Sequence, residues 1–452
     1  MQFLYYLQSG AGALASYLAA HVLLCLLPAF FIAGALSALF PKEAVTKYLG
    51  NNAPKWISYP AAAIGGFVLA VCSCTIMPLF AGIYKKGAGL GPAITFLFVG
   101  PAINILAISF TGVQIGMDIA IARVVLSLIF GVVIGVLVAW FFRKDEAKRM
   151  ELQEASKAFG NDAKVPTKTW LFFGLLLAVL LAGTLQVGLL TNSYISVPVN
   201  GAWMENVQSW LDVAVPANAE FGIEGVSLHG AALLIVLLLI GITSFLGLNH
   251  IDEKFNVWSY ISLGLITFTL LFASLSISIS GTGVMVGVTG KFFAELVFLG
   301  LLWFASRAWY ETYEIQEWLW ETWRFVKQII PLLLVGVFAT GIVRQIIPAA
   351  WVTSLAGENT LLANFFGVMF GVVMYFPTLV EVPIAQTFLS LGMHRGPLLA
   401  YLLADPELSV QSILITSSVI GKKKTAVYVA LVAVFSTISG YLFGLALQFL
   451  VA

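Results

Sequence analysis

Between Ile121 and Phe142 the chain reads IARVVLSLIFGVVIGVLVAWFF, 22 residues interrupted by a single charge, Arg123. A helix of that length reaches about 33 Å, enough to cross the hydrocarbon core of a bilayer. A second run, WLFFGLLLAVLLAGTLQVGLL from Trp170, carries no charge at all. In lipid, every backbone N–H and C=O must find its partner within protein, so such runs can be helices and little else. The composition agrees: 60% of residues are hydrophobic and 10% charged, more apolar surface than a soluble core can hide. The expected class is an all-α membrane protein with about ten transmembrane helices.

Several functions are disfavoured at once. A net charge of +1 does not suit a nucleic-acid binder. No G-x-x-x-x-G-K-[ST] occurs, so the chain carries no ATP-binding loop of that kind, and GTGVMVGVTGK (281–291) lacks the spacing. Neither H-E-x-x-H nor G-x-S-x-G is present, which argues against an intramembrane enzyme. Three cysteines make no disulfide framework, and no cofactor motif is found. The partners expected are the lipid bilayer and a small-molecule or ion substrate. A homo-oligomer stays open.

Two polar loops orient the chain. Residues 143–168 carry seven Lys/Arg and residues 191–229 carry none. By the positive-inside rule the first is cytoplasmic and the second external, in a cell membrane.

An internal repeat follows from the punctuation. Pro78, Pro92 and Pro101 recur as Pro383, Pro397 and Pro406, each 305 residues on. At the same offset Gly66, Gly87, Gly91, Gly116 and Gly135 meet Gly371, Gly392, Gly396, Gly421 and Gly440. The reading is a first repeat at 1–142, a cytoplasmic loop at 143–168, linking helices and an interfacial helix at 169–327, and a second repeat at 328–452. Each repeat is expected to hold a spanning helix, then a proline-broken helix (about 56–84 and 360–393) and a segment with G-P or D-P at its middle (about 91–112 and 397–420). A last spanning helix closes it. If the middle segments are re-entrant hairpins, the copies run antiparallel and Arg395 joins Lys422–Lys424 on the cytoplasmic side. Lys85 and Lys86 then fall outside, a misfit. If they cross fully, those basic clusters separate. The hairpin reading is preferred. Inverted-topology repeats with broken helices are the architecture of secondary transporters, whose loosened backbone groups become ligands near the midplane.

The candidate chemistry clusters at the breaks. Cys72 and Cys74 flank Ser73 just ahead of Pro78, which removes a donor to residue 74. An unwound helix there would let both thiols face one soft atom, such as trivalent arsenic, Cu(I) or Zn. The alternative is that each Cys is a small apolar packing residue. His21 and Cys25 share a face of the first helix and read more readily as packing residues. Glu381, two residues before Pro383, is a charge that needs a partner, water or a proton at a spanning position. It is the expected proton-coupling residue. Asn104 and Ser409 occupy equivalent tips, as ligands or as helix N-caps. Asp405 and Glu407 flank the second tip, at the midplane or at a solvated rim. Arg123 reads as a salt-bridge partner of Asp118 or a counter-charge for an anionic cargo. Lys291 and Glu295 read as an i, i+4 pair. The Trp-rich stretch 307–327 reads as an interfacial amphipathic helix.

The stretch VCSCTIMPLFAGIYKKGAGLGPAITFLFVGPAIN resembles the signature of the ArsP-type predicted permeases, with its C-S-C, following proline, K-G turn and P-A-x-N. TLVEVPIAQTFLSLGMHRGPLLAYLLADPELS resembles the E-x-P and P-x-L-S segments of one branch of that family. The resemblance covers both repeat regions, about half the chain, and carries no expectation for residues 143–327. The resemblance implies an efflux permease, not an enzyme, with characterised members exporting trivalent organoarsenicals such as methylarsenite and others linked to divalent or copper ion export. Carried over by position, Cys72 and Cys74 would be the thiols that bind the arsenical, and the same pair is the expected metal site. An anion or organic-acid transporter of the same architecture, using tip backbone and Arg123, is the rival.

Overall fold

The computed structural model describes the chain apart from residues 1, 21–23, 25, 41, 51–52, 70–72, 104, 156–164, 186, 200–201, 216–224, 253, 281–282, 345–348, 374–377 and 452. The first part comprises α1 (Gln2–Ala20), α2 (Leu27–Ala38), α3 (Lys42–Leu49), α4 (Lys55–Leu69), α5 (Ser73–Lys85), α6 (Leu90–Ala102), α7 (Ile105–Gln114) and α8 (Met117–Phe141). A linking part holds α9 (Arg143–Ala155), α10 (Thr167–Thr184), the single turn α11 (Gly188–Thr191), α12 (Ala202–Ala214), α13 (Leu228–Gly247), α14 (Val257–Ala273) and α15 (Gly290–Trp309). The last part comprises α16 (Thr312–Arg344), α17 (Ala349–Ala356), α18 (Leu361–Val373), α19 (Thr378–Ser390), α20 (Arg395–Ala404), α21 (Val410–Ile420) and α22 (Lys422–Val451).

Among the described residues, six helices are individually long and apolar enough to cross a membrane: Met117–Phe141, Thr167–Thr184, Leu228–His250, Gly290–Trp309, Thr312–Ala339 and Lys422–Phe449. Large apolar side chains such as Leu238, Trp303 and Phe304 are exposed along them, as a lipid-facing surface requires. The helix starts of the last part fall 305 residues after those of the first: Ser73 and Thr378, Leu90 and Arg395, Ile105 and Val410, Met117 and Lys422. The left-handed glycines at Gly87 and Gly116 recur at Gly392 and Gly421, where a side chain would be strained.

Contacts along α8 show how the middle segment runs. Gly91 lies against the Gly135 carbonyl, and Thr95 Oγ1 donates to Gly131 O at 2.8 Å. Ala102 O accepts from Arg123 Nε at 3.2 Å, and Gly112 packs on Met117 and Ala120. So α6 and α7 together follow α8 from one end to the other. The segment at 91–112 crosses the protein as two half-helices and is not a re-entrant hairpin. The segment at 397–420 does the same, because Gly396 lies against Gly440 O, Glu407 meets Tyr428, and α21 ends beside the start of α22.

The turning-back occurs one segment earlier. Tyr59 of α4 sits beside Gly91 and Gly135, and deeper in the protein Gly66 meets Phe96 O and Gly100 N. At the far end of α5, Tyr84 OH donates to Glu146 Oε1 at 3.1 Å and Lys86 Nζ to Phe40 O at 2.8 Å. The start of α4 and the end of α5 thus share one face with Lys424, whose Nζ bonds Glu146 Oε1 at 2.9 Å. In the last part, α18 enters beside Pro397 and reaches Asp405, while α19 leads to a loop in which His394 N donates to Ala356 O. Arg395 pairs there with Asp118 at 2.7 Å, at the end of α8 remote from Glu146. Lys85 and Lys86 are therefore not a misfit: they lie on the basic face, and Arg395 does not. Hydropathy could not separate the two arrangements, since both segments are apolar and both are broken.

One further expectation needs correction. Residues 307–327 form no separate interfacial helix, because α16 runs unbroken from Thr312 through Pro331 to Arg344. Trp318 and Trp323 are buried, and Trp318 Nε1 donates to Phe31 O at 2.8 Å. The fold is the all-α membrane architecture expected, with one small sheet added to it. β1 (Ser193–Val199), β2 (Leu275–Ser280) and β3 (Gly283–Thr289) form an antiparallel sheet in the order β1-β3-β2. Ser276 faces Gly287 across one ladder and Ser196 faces Gly287 across the other. LSISIS and SYISVPV alternate with the period-two pattern of strands, a signal overlooked beside the longer apolar runs.

The close approaches make a direct prediction. A Cβ on Gly91 would stand 3.0 Å from Gly135 O, and one on Gly396 would stand 2.8 Å from Gly440 O. Gly91→Val and Gly396→Val should each cost about 1–3 kcal/mol by overpacking, read as a lowered unfolding midpoint in detergent. An unchanged midpoint would mean the helices do not touch there.

Candidate functional site

The half-helix breaks bring charge into the interior. α6 stops at Ala102, and the last carbonyls of any helix lack intrahelical donors. Arg123, fully buried on α8, supplies one donor through Nε to Ala102 O. Its Nη2 lies 3.1 Å from both carboxylate oxygens of Glu381, which is 1% exposed. Glu381 sits in the first turn of α19. A cation at a helix C-terminus and an anion at a helix N-terminus each complement the local dipole, so one ion pair satisfies two helix ends. Among the described residues, Arg123 Nη1 has no hydrogen-bond partner.

A second carboxyl stands nearby. Glu407, 1% exposed between α20 and α21, accepts from Tyr428 OH of α22 at 2.9 Å through Oε2. Its Oε1 has no hydrogen-bond partner among the described residues, and Arg123 and Glu381 both act on it electrostatically. Asp405, fully buried, closes α20 with its backbone N–H on Tyr401 O at 2.8 Å and packs against Gly371. Asp405 and Glu407 are thus interior groups rather than solvated rim charges. Tyr428 and Arg123 stand at equivalent positions, 305 apart, each reaching the end of a half-helix.

The remaining expected residues divide. Cys72, Asn104, His21 and Cys25 lie outside the described residues. Ser73 and Cys74 open α5, with side chains outside the described set. Pro78 lies within α5 and does not end it. The bond that it forgoes faces Cys74, the second residue of the helix, so the cost falls on the terminal turn. Ser409 is the N-cap of α21: its Oγ accepts from Ser412 N at 3.1 Å and donates to Ser412 Oγ at 2.6 Å. Asp118 is taken by Arg395 and not by Arg123. Lys291 Nζ donates to Gly183 O at 3.0 Å, and Glu295, its expected helix partner, lies beside the same Gly183 and interacts with Lys291 electrostatically. Among the described residues, no group of three His, Cys, Asp or Glu could hold a metal ion.

The pairing of Arg123 with Glu381 and the role of Tyr428 were missed in the sequence. One signal was available: Arg123 and Tyr428 are polar residues at matching places in two apolar spans. On the basic face, a cavity of about 290 Å³ opens between Tyr84, Lys85, Arg149, Phe325, Gln328 and Ser418.

The profile of a family described as predicted permease, ArsP type, matches residues 9–445. A UPF0718 protein of Methanocaldococcus jannaschii is 34% identical over 433 residues, covering 96% of this chain and 94% of its own. No solved structure matches.

Proposed function

Because the chain belongs to the ArsP-type family of predicted permeases, we propose that this multi-pass membrane permease is a secondary-active exporter of a soft, thiophilic species, coupled to protons. The two sets of helices offset by 305 residues would be inverted-topology repeats, with the basic face of Lys85, Arg149 and Lys424 cytoplasmic. Cargo would enter from that face and meet Cys72 and Cys74 where the chain reverses between α4 and α5. Methylarsenite is the leading cargo and a soft metal ion the second, both resting on the cysteine motif. The observation that carries the proton-coupled reading is the buried Arg123–Glu381 pair at the junction of two half-helices. Such a pair contributes little net stability over an apolar substitute, which favours a working role. The rival use of Arg123 as an anion receptor is less well supported, since its guanidinium is already held by Glu381 and Ala102 O.

Everted vesicles supply the test. Methylarsenite should accumulate when an inward-acid gradient is imposed, and a protonophore should abolish the accumulation. Accumulation that survives the protonophore would overturn proton coupling, and none under any gradient would overturn the cargo.

A further inference from the structure

Among the described residues one guanidinium, that of Arg123, is fully buried, and the two glutamates within its field do not share it equally. Arg123 neutralises Glu381, while among the described residues the hydrogen-bond partner of Glu407 is the neutral hydroxyl of Tyr428. Glu407 Oε1 and Arg123 Nη1 are both buried and both without a hydrogen-bond partner among the described residues. Arg123 from α8 and Glu381 from α19 act on Glu407, Tyr428 from α22 hydrogen-bonds it, and Asp405 closes α20 two residues before it. Arg123 is the cation among them. A carboxylate left without countercharge in this interior is costly, so the glutamate not paired with Arg123 must hold a proton.

We propose that Glu407 is a second proton-accepting site and that Arg123 passes between Glu381 and Glu407 as the protein works; the idea rests on the proton-coupled reading above. In one state Arg123 pairs with the Glu381 carboxylate and Glu407 carries a proton. In the other, a proton entering from one face sits on Glu381, the guanidinium has moved to the Glu407 carboxylate, and the proton of Glu407 has left toward the opposite face. Each state contains one guanidinium, one carboxylate and one carboxylic acid among these three side chains. The charge of the core does not change, and one proton crosses per exchange. Tyr428 holds Glu407 Oε2 in place, which leaves Oε1 for the guanidinium. The second repeat thus uses at position 428 a neutral positioning group where the first uses the mobile cation.

Infrared difference spectra of the purified protein read the exchange without any transport assay. The wild type should show the C=O stretch of a protonated carboxyl that disappears in Glu407→Gln. The same band should also disappear in Glu381→Gln, because Arg123 then takes the Glu407 carboxylate. A band that persists in Glu407→Gln would overturn the assignment. A band lost in Glu407→Gln but kept at full strength in Glu381→Gln would overturn the exchange. In proteoliposomes, transport driven by a pH gradient should be lost in Glu407→Gln, and a wild-type rate would count against the proposal. A wild type that ignores the gradient would defeat the proton-coupled reading alone, since the infrared bands still decide whether Arg123 is shared.

Discussion

Glu381→Ala combined with Glu407→Gln is expected to abolish transport and to destabilise the protein by about 3–5 kcal/mol, the penalty for leaving Arg123 buried with neither counter-ion. The penalty is large because Arg123 is fully buried, with its Nε held by Ala102 O at the end of α6 and only its outer nitrogens reaching the carboxyls. It cannot swing to water when both carboxylates are gone. Arg123→Met combined with Glu381→Met should behave differently. Two apolar side chains of similar bulk remove both charges, and such replacements are often neutral or stabilising. The double variant should therefore recover much of the unfolding midpoint while remaining unable to transport. That split separates a working pair from a structural one. If the double variant transports at the wild-type rate, the pair only holds helices together and the coupling scheme fails.

Cys72→Ser combined with Cys74→Ser should reduce methylarsenite transport to the level of vesicles without the protein. Thiolate sulfur is a soft donor that trivalent arsenic and Cu(I) prefer, and a hydroxyl of nearly the same size is hard. Serine keeps the volume and the helix-capping ability, so folding should be little changed and the loss can be assigned to chemistry. The two single variants should fall between, one donor remaining in each. Full transport in the double variant would remove thiol ligation and return attention to the buried carboxyls. Transport lost together with the unfolding midpoint would instead make the cysteines packing residues.

The two experiments probe different parts of the site, and the structure joins them through packing. α5, which Ser73 and Cys74 open, packs on α21, and Met77 Sδ accepts from Thr416 Oγ1 at 3.8 Å. α21 begins at the Ser409 cap, two residues after Glu407. α19, which carries Glu381, packs on α7 of the first part. Each re-entrant second arm therefore rests on the second half-helix of the other part. Movement at the cysteine end of α5 has a contiguous route to the carboxyls.

Much of this was legible beforehand. Spanning runs announced the membrane, because backbone pairing in lipid leaves few options. The prolines and glycines disclosed the offset of 305, and Glu381 stood out as a charge in an apolar setting. The C-S-C and E-x-P stretches pointed to the permease family that the comparisons support. What could not be read was direction and partnership. Hydropathy is a property of a segment, so it marked 56–84 and 91–112 alike as broken apolar helices. Whether a broken helix turns back or continues depends on which face of α8 it packs against, through contacts such as Thr95 with Gly131 and Tyr59 with Gly91. Arg123 likewise had Asp118 near in sequence, but its partner is Glu381, 258 residues away. Local pattern determined that the chain is helical and membrane-bound, since both follow from the cost of unpaired backbone in lipid. Tertiary packing alone decided which charges meet, because a buried ion is held by whatever the fold brings within reach.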